Sequence, residues 1–464
     1  MAEQVEIAVV GAGPAGLNAA LAAAQAGAQV ALIDGNRQPG GQYFRQPSPE
    51  FSVRQPSPHQ REGRELWQQV VQAGVQLICN NTVWGAFEEN TLALHDANGY
   101  RYLQARAIIL ANGAYDRPVA FPGWTLPGVM TAGAAQTLLK DQRILPGKEI
   151  LLAGTGPLQL VLAAELVRAG ARVVAVLEAS PMLQRGWRQL GVLWGQWERV
   201  GEGLTSWLTL ARYGVPYQMG WGIVQADGQD QLEQVTIARL DDNWRPIFGT
   251  ERKIACDTLC LGYGFIPFNA LSRLLGAEQA WHPELGGEIP VRDEHMQTSI
   301  PGVYAVGDGA GIGGARLAAI EGRIAGIAAA AQNEHGAASE QSLRQLEPAL
   351  ARERRFQQMY ASLFTPGAGL DELSRDDTVL CRCEEITQAE VRNAIACGAE
   401  SANEVKAVTR TGMGNCQGRM CSHLIASLIA RETGRPVSDV GLYRPRPPLF
   451  PVPIPTLTQP EVSR

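Results

Sequence analysis

The sequence predicts an α/β protein: two tandem Rossmann-like dinucleotide-binding domains followed by a small helical C-terminal domain. Three observations carry that expectation. A glycine-rich turn near the N-terminus is framed by an apolar strand, an Ala/Leu-rich helix and a second strand. The same arrangement returns near residue 150. Two cysteine pairs then fall among short, well-capped helical segments after residue 380.

The first unit is "VEIAVVGAGPAGLNAALAAAQAGAQVALIDGN". Ile7 to Val10 reads as a buried strand, and Gly11, Gly13 and Gly16 form GxGxxG around Pro14 and Ala15. Gly11 makes the tight turn, Gly13 lets the backbone approach a pyrophosphate, and Gly16 lets helix and strand close up. The helix N-terminus offers free N–H groups and a positive dipole end to the phosphates. Asp34, 18 residues past Gly16, is placed to accept from a ribose hydroxyl.

The second unit is "KEILLAGTGPLQLVLAAELVRAGARVVAVLEAS", with Gly154, Gly156 and the strand-closing Glu178. Gln159 stands in the place of the third glycine. Two readings stay open: an NAD site, with Glu178 disfavouring a 2′-phosphate, or a Rossmann-like domain that keeps its shape without binding a nucleotide.

Two further segments complete the first domain. "ARAIILANGAYDRP" is a strand ending at Gly113, and "SIPGVYAVGDGAGIGGARL" is a strand running into Gly307 and Asp308 and a glycine-rich helix start. This order resembles the flavoproteins with two dinucleotide domains that include glutathione and thioredoxin reductases. The resemblance implies FAD, with Asp308 at the ribityl chain and the "GGQY" loop, through Gly41 and Gln42, on the flavin side. Asp308 is equally suited to cap the next helix. The C-x2-C redox pair of thioredoxin reductases is missing. Cys256 and Cys260 are spaced C-x3-C in an apolar strand and read as core. The six histidines form no local motif, and no catalytic nucleophile or base is expected.

The cysteine module begins at "VLCRCEEIT" with Cys381 and Cys383; after 32 intervening residues "GNCQGRMC" supplies Cys416 and Cys421. Thr387 with Glu390, and Ser401 with Glu404, are capping boxes, and Gly398 and Gly434 read as helix stops. Cys397 reads as packing inside the first of these helices. Four thiolates suit zinc or an iron–sulfur cluster. Zinc sites favour two or more residues between paired ligands, whereas C-x-C spans a wider two-iron centre more easily. The C-x-C and glycine-rich C-x4-C pattern resembles the bacterioferritin-associated-ferredoxin-like [2Fe–2S] domain, which implies metal ligation by all four.

Over nearly its whole length the chain resembles the A (alpha) subunits of bacterial opine oxidases and D-hydroxyproline dehydrogenases. It is also similar to the B subunit of hydrogen cyanide synthase and the alpha subunit of heteromeric proline dehydrogenase. The order of the two Rossmann units, "LGYGFIPF", the cysteine module and "YRPRPPLFPVP" carries the likeness. The resemblance implies an electron-transferring subunit beside an amine-oxidising, sarcosine- or glycine-oxidase-like flavoprotein, and an outside electron acceptor. The reaction implied is oxidation of the C–N bond of an opine or secondary amino acid. Some relatives carry an additional FMN at the subunit interface, and some hold ATP or NAD where FAD is expected. Asn112 stands where Thr is more usual, which leaves the nucleotide open. The rival readings are a stand-alone NAD(P)H-dependent acceptor reductase and a non-catalytic iron–sulfur scaffold.

The expected domains are 1–145 with 256–330, then 146–255 with a Trp-rich insertion, a helical linker 331–378, the cysteine module 379–440 and a Pro-rich tail 441–464. The Trp-rich stretch from Trp187 to Trp221 reads mainly as core and secondarily as a partner surface. The repeated RQPSP at Arg45 and Arg54 reads as a surface loop, with both arginines as candidates for a flavin phosphate or for FMN at an interface. The tail reads as a flexible end or a strap over a partner. A net charge of −6 without a long basic run argues against nucleic acid. No run reaches the ~18 apolar residues of a membrane span. The N-terminus lacks the basic-then-apolar pattern of a signal peptide, so the cytosol is expected, where clustered thiols stay reduced.

Overall fold

The computed structural model describes residues 3–48, 50–51, 56–181, 192, 196–333 and 339–455. The chain divides into two compact units: residues 1–115, 266–358 and 444–464, and residues 116–265 and 359–443.

The first unit is built on a seven-stranded sheet, in the order Gln76–Ile78, Val30–Ile33, Glu3–Val10, Gly99–Leu110, Thr91–Asp96 and Thr82–Phe87, with Val303–Ala305 also pairing Gly99–Leu110. Its nucleotide-fold strands are parallel, and the last hairpin is antiparallel. Ile7, Ala8 and Val9 have no exposed surface, because parallel strands covered on both faces read as continuous apolar runs. Helix Pro14–Gln25 covers one face, and helix Ala315–Gln332 packs on it. That approach is close enough that a methyl at Gly322 would lie 2.1 Å from the Ala15 carbonyl oxygen.

The second unit has a five-stranded parallel sheet, ordered Tyr217–Met219, Arg172–Glu178, Glu149–Gly154, Thr258–Gly262 and Val129–Thr131. Here the structure departs from the expected boundaries. Val129–Thr131 and Thr258–Gly262, assigned by sequence to the first domain, pair with each other and belong to the second sheet. An entirely apolar strand such as "TLCLG" fits the buried centre of either parallel sheet, so its pattern does not choose between them. Cys256 and Cys260 are buried there, as expected.

Helix Ser339–Phe364 forms the linker, and the division between units falls within it. The cysteine module is a set of short elements in the second unit: the strands Val379–Cys381 and Ile386–Thr387 and the helices Gln388–Ala396, Ala402–Thr409 and Ser422–Thr433. Both predicted capping boxes form, and Gly398 and Gly434 take the left-handed conformation past their helices. Cys397 is exposed at a helix C-cap, not packed, because the helix ends one residue before it.

Two other expectations are corrected. Helix Trp197–Arg212 buries Leu210 against helix Pro157–Arg168, but leaves Trp197, Leu204, Trp207 and Leu208 exposed. Its tryptophans are therefore surface residues, while Trp187 and Trp194 lie outside the described residues. From Arg444 on, the described part of the tail straps onto the first unit: Leu449 is buried, its N–H donates to the Trp84 carbonyl at 2.7 Å, and Phe450 meets the Phe268 ring. Arg54 also lies outside the described residues.

Candidate functional site

The first glycine turn is tightly packed at two of its glycines and open at the third. Gly11 has φ +102°, and a methyl there would lie 2.3 Å from the Ala111 carbonyl oxygen. At Gly16 it would lie 1.7 Å from the Gly11 carbonyl oxygen, so both glycines serve close packing of the protein itself. Gly13 differs: its nearest neighbour would be the Gly41 Cα at 3.9 Å, which leaves its outer face open. Pro14 opens the helix, where the absent N–H costs no bond. Asp34 is buried, and its Oδ2 accepts from the Ala12 N–H at 2.6 Å. Its Oδ1 accepts from the Asn36 N–H and side-chain amide, each at 2.7 Å. The acid that ends the second strand thus braces the glycine turn itself.

Of the other predicted residues of this unit, Gly41 and Gly307 lie against the same helix start. Gly41, at φ +58°, sits against Gly13, while Gln42 is exposed. Gly307 approaches Ala15, and Gly309 approaches the Gly113 backbone. Gly113, at φ +71°, would carry a methyl into open space. Asp308 Oδ1 accepts from the N–H groups of Gly313 and Gly314 at 2.9 and 2.8 Å, which ties the loop that opens helix Ala315–Gln332. Burial pushes its carboxyl above the ordinary range, against those two donors.

Sequence reasoning missed what supports this loop. Glu321 is buried and takes a bidentate contact from Arg292, at 2.9 and 2.8 Å, while its Oε2 also accepts from the Gly307 N–H at 2.9 Å. The signal was present as an acid inside an otherwise Ala/Gly-rich helix stripe, but its partner lies 29 residues upstream with no local pattern.

The second glycine turn is arranged differently. Glu178 has no exposed surface and receives four donors: the Thr155 hydroxyl at 2.8 Å, the Gly156 N–H at 2.9 Å, the Ser180 N–H at 2.9 Å and the Tyr217 hydroxyl at 3.3 Å. Burial still raises its carboxyl above 4.5. The Gly156 N–H therefore points at a carboxylate. Gln159 is fully buried between Gly154 and Gly262; a methyl on either glycine would lie 2.3 or 1.9 Å from its Nε2. Tyr360 covers the outer face, its hydroxyl only 2.6 Å from where a Gly156 methyl would stand. The Ser180 hydroxyl donates to the Leu363 carbonyl at 2.6 Å and fixes that end of the linker helix over the turn. Gln159 and Tyr360 thus pack closely around this turn.

In the cysteine module the thiols meet in two pairs. Cys421 hydrogen-bonds Cys381, and Cys383 hydrogen-bonds Cys416. The Cys421 thiol, opposed by burial and helped by the N–H groups of Gly412, Glu384 and Cys383, holds Cys381 down to about 6. The same pairing pushes Cys421 up. Burial pushes Cys383 up. Cys381 and Cys421 are buried, Cys416 is half-buried and Cys383 is exposed. A methyl at Gly414 would lie 2.2 Å from the Cys383 Cβ, so the glycine loop folds directly over that cysteine. Among the described residues no three His, Cys, Asp or Glu side chains stand close enough to grip one ion. The module is held to the second unit by the Trp124 indole N–H, which donates to the Val379 carbonyl at 2.6 Å.

Comparison with known proteins agrees with this architecture. Residues 5–334 match the family model described as pyridine nucleotide-disulphide oxidoreductase, and residues 377–459 match the sarcosine oxidase A3 domain. The chain is 36% identical to the HcnB subunit of hydrogen cyanide synthase from Pseudomonas aeruginosa, covering 96% of each. It is 35% identical to the A (alpha) subunit of opine oxidase from Agrobacterium tumefaciens, covering 96% of this chain and 90% of that one. Among solved structures, L-proline dehydrogenase from P. horikoshii superimposes with a TM-score of 0.72 at 21% identity, covering 99% of this chain and 81% of that one. Thioredoxin reductase of T. acidophilum superimposes at 0.53 and 18% identity, covering 72% and 99%. Among the described residues no helix is long and apolar enough to cross a membrane.

Proposed function

The chain belongs to the pyridine nucleotide-disulphide oxidoreductase family, in the group of the opine oxidase A (alpha) subunits and the HcnB subunits of hydrogen cyanide synthase, and we propose that it is the electron-relay subunit of a heteromeric amino-acid dehydrogenase. The substrate class is an opine or a secondary amino acid such as proline or D-hydroxyproline. Oxidation of its C–N bond removes two electrons and two protons, and water hydrolyses the resulting imine. We assign that step to a partner flavoprotein of the sarcosine- or glycine-oxidase type, with a cytosolic complex and an outside acceptor.

The observation that carries this reading is the sealed second glycine turn. A stand-alone NAD(P)H reductase needs that turn to receive a nicotinamide nucleotide, and here Glu178, Gln159 and Tyr360 occupy it. Electrons would then have to come from another subunit.

In the first unit, the open face of Gly13 and the space beside Gly113 suit the pyrophosphate and flavin side of FAD. The same turn would accept the ADP portion of ATP or NAD. The chain's own work there is positional: Asp34 holds the turn, and Glu321 holds the loop that presents Asp308.

The four thiols suit a [2Fe–2S] cluster better than a single zinc ion. Two separate pairs match two metal atoms with two thiolates each, whereas zinc needs all four around one point. When bound, such a cluster supplies one-electron transfer, and an FMN at the subunit interface is the further group this reading allows. Cys383 marks the solvent edge of the module and Cys381 and Cys421 its protected side.

Anaerobic mixing tests the proposal. The purified chain should not lose flavin absorbance with NADH on the turnover timescale, and should be reduced when partner and amine substrate are added. Rapid bleaching by NADH alone supports the reductase instead. No reduction under either condition supports a redox scaffold.

A further inference from the structure

We propose that Tyr443 is a positioning residue for the sulfur centre, donating its phenolic O–H to the Cys421 sulfur and raising the reduction potential of the bound cluster. The inference rests on the cluster reading above and adds a residue to it.

Tyr443 lies 22 residues beyond Cys421, at the edge of a proline-rich segment, where nothing in the local sequence marks it. The fold nevertheless buries it, at 6% exposure, inside the cysteine module. Its ring lies against two left-handed glycines of the cysteine loop. A methyl at Gly412, φ +76°, or at Gly418, φ +83°, would lie 2.5 Å from ring carbons. The loop that carries Cys416 therefore closes on one edge of this ring from glycines before and after that cysteine. The Lys406 ammonium stands 5.4 Å from the ring centroid, and the Tyr443 N–H donates to the Ser422 hydroxyl at 3.2 Å. Ring, backbone and loop are all fixed, so the position of the phenolic oxygen is fixed as well.

That hydroxyl is 3.9 Å from the Cys421 Sγ, within hydrogen-bond reach of sulfur. With Cys421 as a thiolate, sulfur can only accept, so the phenol is the donor. Hydrogen bonds to ligand sulfurs stabilise the extra negative charge of a reduced cluster and raise its potential. Cys421 is also fully buried, where such a bond is not diluted by water.

The test is Tyr443→Phe in the full chain, prepared anaerobically beside the wild type, with iron and acid-labile sulfide assayed and the cluster titrated potentiometrically by its visible circular dichroism and its EPR signal. The ring remains to fill the glycine loop, so iron and sulfide should match the wild type. The potential should move to a more negative value and the circular dichroism in the sulfur-to-iron region should change. Unaltered potential and spectrum in an iron-replete variant overturn the role of Tyr443 and leave the cluster standing. A wild-type chain free of iron and sulfide overturns both. Should Tyr443→Phe lose its iron, Thr411→Val provides the second measurement, since the Thr411 hydroxyl donates to the phenol oxygen and its removal weakens the phenol as a donor to sulfur without touching the ring. A wild-type potential in Thr411→Val then counts against the proposal, and a shifted one supports it.

Discussion

Replacing Glu321 by alanine should be among the most damaging single changes outside the glycine turns. The carboxylate is 1% exposed and holds three donors: two from Arg292 and the Gly307 N–H. Removing one partner of a buried ion pair costs about 3–5 kcal/mol, because the remaining charge keeps its desolvation penalty. Arg292 retains its bonds to the Ala305 carbonyl at 3.0 Å and the Met296 sulfur at 3.4 Å, which places the expected loss near the low end, about 3 kcal/mol. Glu321→Gln should fall in between, since an amide oxygen still accepts from Gly307 but leaves the guanidinium unneutralised. Guanidinium denaturation gives the size of the loss. Hydrogen exchange locates it, because exchange should accelerate first in the Gly307–Asp308 loop and the start of helix Ala315–Gln332. A loss under about 1 kcal/mol for Glu321→Ala, with normal exchange at Gly307, would refute the idea that this pair supports the Gly307–Asp308 loop.

Other expectations follow from the same contacts. Gly13→Ala should fold normally, since the nearest atom to the new methyl is 3.9 Å away, yet weaken the bound dinucleotide by tenfold or more, about 1.4 kcal/mol, in an equilibrium binding assay. Gly16→Ala, with its methyl 1.7 Å from a carbonyl oxygen, should lower the thermal midpoint itself. Gln159→Met removes a buried Oε1 that has no hydrogen-bond partner, so stability should be unchanged or rise by roughly 1 kcal/mol, and a loss above about 2 kcal/mol counts against the packing described. Glu178 has a folded carboxyl raised above 4.5 by burial. The unfolded chain therefore releases its proton first, and stability declines as pH climbs from 4.5 through the raised folded value. Glu178→Gln should flatten that slope in denaturation midpoints measured across mildly acidic to neutral pH.

Much of this was legible in the sequence because it is local. Strand, glycine turn, helix and acid sit within one contiguous stretch in each Rossmann unit, and each residue does a job its neighbours reveal. The capping boxes at Thr387 and Ser401 were readable for the same reason. Sheet membership was not: the buried strands Thr258–Gly262 and Val129–Thr131 look alike from either sheet, and only pairing assigns them. Gln159 announced itself as an anomaly, but the seal over the turn needed Tyr360, some two hundred residues away on a helix whose sequence reads only as a polar connector. The exposed face of Trp197 and Trp207 was misjudged because large aromatics are usually core residues, and helix Trp197–Arg212 uses another stripe for packing. Leu449 shows the converse, a residue in a proline-rich tail that is buried in the first unit's core.

The most direct test is metal and sulfide analysis of the full chain purified without oxygen, because the relay role requires a redox-active centre on Cys381, Cys383, Cys416 and Cys421. About two iron atoms and two acid-labile sulfides per chain are expected, with both lost in Cys381→Ser or Cys421→Ser. One zinc ion per chain, or four free thiols and no metal, would contradict the account at its foundation.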